Sequence, residues 1–354
     1  MSAHPLEVHE PPRRLPLVTL YVTERCNSRC VTCDYWRYGR GDMRVEAVAR
    51  LVPNFAQLGT EIVLLSGGEP LLNPEWAQIA QLLKSNGLKV WLLTSGLSLA
   101  KNARRAAQLF DTITVSLDGT NRATYAAIRG LDAFDQVCTG IRAAAAHGVP
   151  PSLRVTLQRA NYRELRGFVD LAKQIGASRV SFLAVDVANP HAFGRTGDPS
   201  LNLALDAEDL PLFEHCLDAL ERTHAESFRS GFIAESPQKL RRILQYFAAR
   251  QSLGAYPAVR CNAPEFSAVI SASGRVQPCF FISAPTDLPV FGSGAPIDVN
   301  LATALDADEM VELRTSIRAG RRAECKTCVC SMWRDPATFD GAAQIMDTAA
   351  GAAT

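Results

Sequence analysis

No stretch of the 354 residues is apolar for long enough to cross a bilayer. The N-terminus, MSAHPLEVHEPPRRLP, places prolines and acidic residues where a secretory signal needs a basic start and an apolar run. Neither a membrane anchor nor export is expected, and the expected location is the cytoplasm. An excess of one charge is missing too, because 37 Lys and Arg stand against 36 Asp and Glu. A chain so balanced has no field to hold nucleic acid or an anionic lipid surface, so neither is an expected partner. Histidine is scarce: the six in the chain form no pair at ligand spacing, and none is assigned to metal.

Cysteine, by contrast, is plentiful. Of ten, three lie at Cys26, Cys30 and Cys33, two stand alone at Cys138 and Cys216, and five fall between Cys261 and Cys330. A reducing compartment argues against a disulfide framework, and the clustering points to two metal sites. Cys138 and Cys216 have the apolar neighbours Val137, Ile141, Leu217 and Leu220 at helical spacing, and read as buried structural thiols.

Apolar, β-rich runs alternate with stretches of helical period. Strands are expected over 17–22, 61–65, 89–93, 112–117, 152–157 and 180–185, with helices over 45–58, 74–85, 99–109, 133–147, 162–175 and 207–224. Six βα units in series need right-handed crossovers and a parallel sheet. Chemistry in such folds gathers in the loops after the carboxyl ends of the strands. Those loops hold TERCNSRCVTCDYW after the first strand, SGGEP after the second and TSG after the third, and SLDG spans the end of the fourth.

Cys26, Cys30 and Cys33 form a C-x3-C-x2-C loop, in which each thiolate can bind a different iron of one cubane and leave the fourth iron open. A zinc knuckle is the alternative, but it commonly uses a further Cys or His nearby, and none is near.

The cysteine loop followed by Gly67, Gly68, Glu69 and Pro70 resembles the radical S-adenosylmethionine (SAM) superfamily. The resemblance implies an α/β fold, a partial (β/α)6 TIM-like barrel with a small C-terminal cluster-binding extension. It implies a [4Fe-4S] cluster whose open iron chelates SAM, and a GGEP segment at the SAM amino group. Ser95 in the Thr94–Gly96 turn, Ser116 and Asp118 resemble the family's polar strand-end residues near SAM. Each is also a plausible cap or turn residue. Arg129, in AIRG, is placed either at the SAM carboxylate or on the surface. The position before the third cysteine, often aromatic in the family, is Thr32 here, with Tyr35 and Trp36 beside it.

Cys261, Cys279, Cys325 and Cys328 follow a C-x17-C, long gap, C-x2-C pattern that resembles the SPASM/twitch auxiliary-cluster extension. One auxiliary [4Fe-4S] cluster is the limit, since only Cys330 follows, either as a substitute ligand or as a bystander. The same spacing suits a four-cysteine zinc ribbon. The expected divisions are a tail (1–15), a core barrel (16–230), a bridging helix (231–260, helical over 232–253), an auxiliary domain (261–335) and a second tail (336–354).

The resemblance implies reductive cleavage of SAM to a 5′-deoxyadenosyl radical that takes a hydrogen atom from substrate. With a second cluster to accept an electron, net oxidation by dehydrogenation or cross-linking is the leading expectation. Arg154, Asp186 and His191 are the candidates for a base. A flavodoxin- or ferredoxin-type electron donor and a small-molecule or peptide substrate are the implied partners. Maturation of a ribosomal peptide or protein and a non-catalytic iron-sulfur scaffold are the alternatives. The segment before the first strand is short for a leader-binding module, which counts against the peptide reading.

Overall fold

The computed structural model describes residues 14–187, 189, 202–285, 289–292 and 300–335. Eight strands form one sheet in the order β6-β5-β4-β3-β2-β1-β7-β8: Leu17–Thr23 (β1), Ile62–Gly67 (β2), Lys89–Thr94 (β3), Thr112–Ser116 (β4), Ser152–Leu157 (β5), Arg179–Ala184 (β6), Ser267–Ile270 (β7) and Val276–Gln277 (β8). Strands β1 to β6 are parallel and lie in chain order, each reached through a helical connection. This is the expected partial (β/α)6 arrangement, and the sheet does not close.

Alternation along the strands assigns the two faces. In β5, Leu153, Val155 and Leu157 are fully buried in the core that the helices complete, while Ser152, Arg154 and Thr156 on the other face are half-buried. In β4, Ile113 and Val115 go into the core, and Thr112, Thr114 and Ser116 face away from it. Over β4 and β5 the face away from the helices is therefore polar, as part of the inner wall of a ligand-holding barrel can be. Among the described residues no helix is long and apolar enough to cross a membrane.

Three differences from the sequence expectation concern the site. A helix over Arg122–Arg129 follows β4, capped at its start by Asn121, whose Oδ1 accepts from the Thr124 N–H at 3.0 Å. The helix expected over 232–253 spans Pro237–Arg250 instead. Residues 232–234 add to the free edge of β6, where the Val180 N–H donates to the Phe232 carbonyl at 2.8 Å and the Ala234 N–H to the Val180 carbonyl at 2.9 Å. Third, β7 pairs in parallel with β1, so the cysteine-rich C-terminal region contributes a strand to the core sheet.

Candidate functional site

The cysteine loop starts where β1 ends, and its first residues are pinned from two sides. Asp42 accepts from the Thr23 hydroxyl at 2.6 Å and from the Arg25 guanidinium at 3.1 and 2.7 Å. Arg25 also reaches the Leu72 carbonyl at 2.6 Å. The Gly68 N–H donates to the Thr23 carbonyl and the Glu69 N–H to the Arg25 carbonyl, both at 2.8 Å. At this approach a Cβ on Gly68 would lie 2.2 Å from the Arg25 carbonyl oxygen. On Gly67, at φ 116°, it would lie 2.3 Å from that of Thr23. The two glycines are needed because any side chain there would part the loops.

Glu69 is fully buried, and its carboxylate accepts from the Thr94 hydroxyl at 2.7 Å, the Ser95 N–H at 2.6 Å and the Leu71 N–H at 3.1 Å. The side chain ties the end of β3 to the loop after β2, and Pro70, also buried, opens the short turn that follows. Ser95, buried, meets Asn27 of the cysteine loop at 3.3 Å.

The far side of the loop rests on the helix Arg122–Arg129. The Arg29 and Val31 N–H groups donate to the Arg129 and Ile128 carbonyls, both at 3.0 Å, and thereby use the free acceptors of the helix end. Gly130, at φ 75°, closes the helix so tightly against Arg29 that a Cβ would sit 2.2 Å from its carbonyl oxygen. Arg129 is not a surface residue. It is buried, and its Nη1 donates to Asp118 Oδ2 at 3.0 Å, while Asp118 Oδ1 accepts from the Thr156 N–H at 2.7 Å. Burial raises the Asp118 carboxyl above its ordinary value, against the pull of Arg129 and of the Thr156 N–H.

Between these supports stand Cys26, Cys30 and Cys33, none in a disulfide. Burial pushes the Cys26 thiol up to about 11, with Cys30 adding to the shift. It pushes Cys33 up to about 12, with Cys30 and Cys26 adding. Burial raises Cys30 too, opposed by Arg129. Thiols that disfavour the free anion this strongly, packed within electrostatic reach of one another, suit a metal as the cation that makes them thiolates. Ser28 Oγ, Tyr125 Oη and Arg129 Nε are buried here without a hydrogen-bond partner, as polar atoms reserved for an added group would be. The donor set and these orphaned atoms fit a cubane bearing a polar ligand. Among the described residues no three Cys, His, Asp or Glu side chains converge on a single-ion site. Cubane cysteines stand apart, each on its own iron.

The second cysteine group is assembled by Asn262. Its N–H donates to the Met332 carbonyl at 2.9 Å, its side chain donates to the Arg334 carbonyl at 2.8 Å, and it accepts from the Arg334 N–H at 2.9 Å. Cys261 is thereby drawn to the C-terminal cysteines, and Cys261, Cys279, Cys325, Cys328 and Cys330 line one pocket. Burial, then Cys261, then Cys325 lift the Cys279 thiol to about 12. Burial and then Cys261 lift Cys325 to about 11. Cys328 is raised by burial and next by Cys330. Cys330 is raised by burial as well, offset by Arg154 of β5. Five thiols at this range offer the four ligands of a second cubane, and Cys330 belongs to the group. An aromatic run joins the two regions: Tyr35 meets Tyr21 edge-on at 6.1 Å, and Tyr21 lies 6.3 Å from Phe280, the neighbour of Cys279.

The remaining candidates are scattered. Ser116 and Arg154 face each other in register on β4 and β5. Asp186 is buried after β6 and accepts from the Asn189 N–H at 3.1 Å. His191 lies outside the described residues. Sequence reasoning missed Asn262 and the buried Glu235, each a single polar residue whose partners are remote in the chain; only the position of Asn262 next to a cysteine marked it.

Residues 20–172 match the model of the radical SAM superfamily. The AdoMet-dependent heme synthase of Methanosarcina barkeri (strain Fusaro / DSM 804) is 31% identical over 168 residues, 46% of this chain and 48% of the relative. The Fe-coproporphyrin III synthase of the same strain is 28% identical over 228 residues, 62% of this chain and 54% of the relative. The chain thus spans about half the length of these curated relatives. The crystal structure of Streptococcus suis SuiB bound to S-adenosylmethionine shares the fold at a TM-score of 0.63 and 14% identity, over 90% of this chain and 73% of that one.

Proposed function

We propose, from the match of residues 20–172 to the radical SAM superfamily, that the chain generates a substrate radical and completes a net oxidation, a dehydrogenation or a cross-link, with a second cluster as electron acceptor. When bound at Cys26, Cys30 and Cys33, the cluster and SAM supply reductive cleavage to a hydrogen-abstracting deoxyadenosyl radical. The chain's own residues do the placing. The Gly67–Glu69 strap and the end of the helix Arg122–Arg129 fix the cysteine loop from opposite sides. The buried Asp118–Arg129 pair, with Arg129 Nε unpartnered, presents charge and a free donor beside the loop. Cys261, Cys279, Cys325 and Cys328 would hold the second cluster, with Cys330 as the substitute ligand.

One observation carries the oxidative reading: Cys261, Cys279, Cys325, Cys328 and Cys330 line one pocket, a donor set large enough for a second cubane that would take up an electron. A low-potential donor of the flavodoxin or ferredoxin type would supply the first electron. The test is anaerobic reconstitution with iron and sulfide counts. About eight irons are expected for wild type and about four for the Cys26/Cys30/Cys33 triple alanine variant, with 5′-deoxyadenosine formed from SAM and dithionite only by the former. A total of one cubane would remove the second cluster, and SAM recycled during turnover would remove the net oxidation.

A peptide substrate is the second reading, favoured by the fold shared with SuiB, which has also been crystallised bound to its precursor peptide SuiA. Peptide-dependent consumption of SAM, screened against short peptides encoded beside the gene, would select it.

A further inference from the structure

The surface around the first cysteine group carries one sign of charge. The whole chain has a formal net charge of +1. Between residues 29 and 44, however, every exposed charged side chain is an arginine: Arg29, Arg37, Arg40 and Arg44. Arg29 directly precedes Cys30, and Arg37 lies on the short helix Tyr35–Tyr38 that follows Cys33. The turn bearing Arg40 packs on the start of the same loop. There the Glu24 N–H donates to the Gly41 carbonyl at 2.8 Å, and a Cβ on Gly39 would lie 2.2 Å from the Glu24 carbonyl oxygen. Arg40 is thus beside the cysteine loop in space as well as in sequence.

The carboxylates of this stretch are already engaged. Glu24 Oε2 accepts from the Gly41 N–H at 3.0 Å and the Arg40 N–H at 3.3 Å, so it serves the backbone of the turn. Asp42 is taken by Thr23 and Arg25. Asp34 accepts from Arg37 Nε at 2.9 Å, and Arg44 reaches Glu75 at 2.7 Å. The Arg40 guanidinium meets the carbonyls of Gly39 at 2.7 Å and Arg37 at 3.1 Å. Among the described residues neither Arg29 nor Arg40 has a carboxylate partner. Exposed arginines alone need no explanation, since water solvates them. The ring among them does. Tyr38 is 62% exposed and is the only exposed aromatic side chain among the described residues. Beside it, Arg37 lies over the Trp36 ring at 4.3 Å. Arginine and tyrosine are enriched where proteins meet and lysine is depleted there, and the stretch from 29 to 44 has no lysine.

We propose that Arg29, Arg37, Tyr38 and Arg40 form the docking surface for an acidic flavodoxin, the electron donor of the first cysteine group. The surface rests on the function proposed above and names its partner. The arginines are exposed around the cysteine loop, outside the inner wall where a substrate would lie, which suits a protein that approaches from solvent. Attraction between opposite charges speeds such an encounter and fixes its orientation. The Tyr38 ring offers the apolar contact on which the rim of a flavin can rest, which favours a flavin carrier over an iron-sulfur one. In the step served, the carrier's reduced flavin loses one electron and the group at Cys26, Cys30 and Cys33 gains it. No bond forms or breaks, and no proton moves.

The test is association of the iron-loaded full chain with an oxidised flavodoxin of acidic surface, measured anaerobically by biolayer interferometry at low and at physiological salt. Wild type is expected to bind, and to bind more weakly as salt rises. Arg37→Glu/Arg40→Glu should weaken the complex roughly tenfold or more and flatten its salt dependence. Tyr38→Ala should weaken it at both salts. Arg104→Glu/Arg105→Glu, exposed on the helix Leu99–Leu109, makes the same change in charge elsewhere and should bind nearly as wild type does. Reduction by flavodoxin hydroquinone, followed as loss of visible absorbance, should slow in step with the lost association. Dithionite needs no docking and should reduce variant and wild type alike. No association in wild type, equal losses in the two double variants, or tighter binding of an acidic ferredoxin than of the flavodoxin would each overturn the surface. Displacement of the flavodoxin by a polyglutamate peptide at equal concentration would give the patch to acidic peptides and overturn it too. Iron content and circular dichroism check that each variant is loaded and folded, and Arg37→Gln/Arg40→Gln takes the place of the charge reversal if it is not. Association needs neither SAM nor turnover, so wild type that makes no 5′-deoxyadenosine would refute the proposed function separately.

Discussion

Cutting the Asp118–Arg129 pair from one side should cost far more than cutting a surface pair, and the two cuts should differ. Both side chains are buried, 3.0 Å apart, and Asp118 also holds the Thr156 N–H. Breaking a buried pair typically costs about 3–5 kcal/mol, whereas an exposed pair contributes about 0–1 kcal/mol. In Asp118→Ala the guanidinium is stranded and has no proton to lose, and the Thr156 N–H loses its acceptor, which adds roughly 1–3 kcal/mol. In Arg129→Met the stranded carboxyl can take up a proton, and burial already favours its neutral form. The expected order of damage is therefore Asp118→Ala, then Arg129→Met, with the double variant well short of the sum. The Arg129→Met penalty should shrink as pH falls, because protonating Asp118 removes the uncompensated charge, while the Asp118→Ala penalty should not. Urea unfolding of the apo-protein from pH 5 to pH 8 measures all three. Single penalties below about 1 kcal/mol, or strict additivity in the double variant, would mean that Arg129 lies at the surface after all.

Gly68→Ala should cost at least the roughly 1–3 kcal/mol of an overpacked core and lower iron retention at the first site, since its Cβ meets backbone at 2.2 Å. Gly87→Ala is the control, with φ 78° and nothing within 4 Å, and should show only backbone strain of about 1–2 kcal/mol with iron unchanged. Asn262→Ala removes the two side-chain hydrogen bonds to the Arg334 backbone and should reduce reconstituted iron from about eight to about four per chain; full iron would separate Asn262 from the second site. Burial raises the Glu235 carboxyl above its ordinary 4.5, so the folded chain binds that proton more tightly than the unfolded one. Its stabilising effect is complete below pH 4.5 and is lost as pH rises through the folded value. Glu235→Gln should therefore gain on wild type in Tm as pH rises across that window, and a difference independent of pH would contradict the raised value.

The parts that the sequence discloses are those whose causes are local. Leu153, Val155 and Leu157 alternate with Ser152, Arg154 and Thr156, and that alternation alone marks β5 at its observed bounds. The helix Leu99–Leu109 is marked as well by its apolar period. The cysteine loop and the GGEP strap sit within a few residues of strand ends, so the first cysteine group and the strap that supports it are visible in the sequence. The four residues of β7 are too few for a period, and only their pairing with β1 makes them a strand. A charge near a helix end, as at Arg129, looks exposed until a loop brings Asp118 over it. The side of the site that would choose a substrate is built entirely by such distant pairings. Glu235 is fixed by Ser181, 54 residues away, and Asn262 by Arg334, 72 residues away. For that reason the sequence motifs disclose the first cysteine group, while the second depends on contacts that form only when residues remote in the chain, such as Asn262 and Arg334, meet.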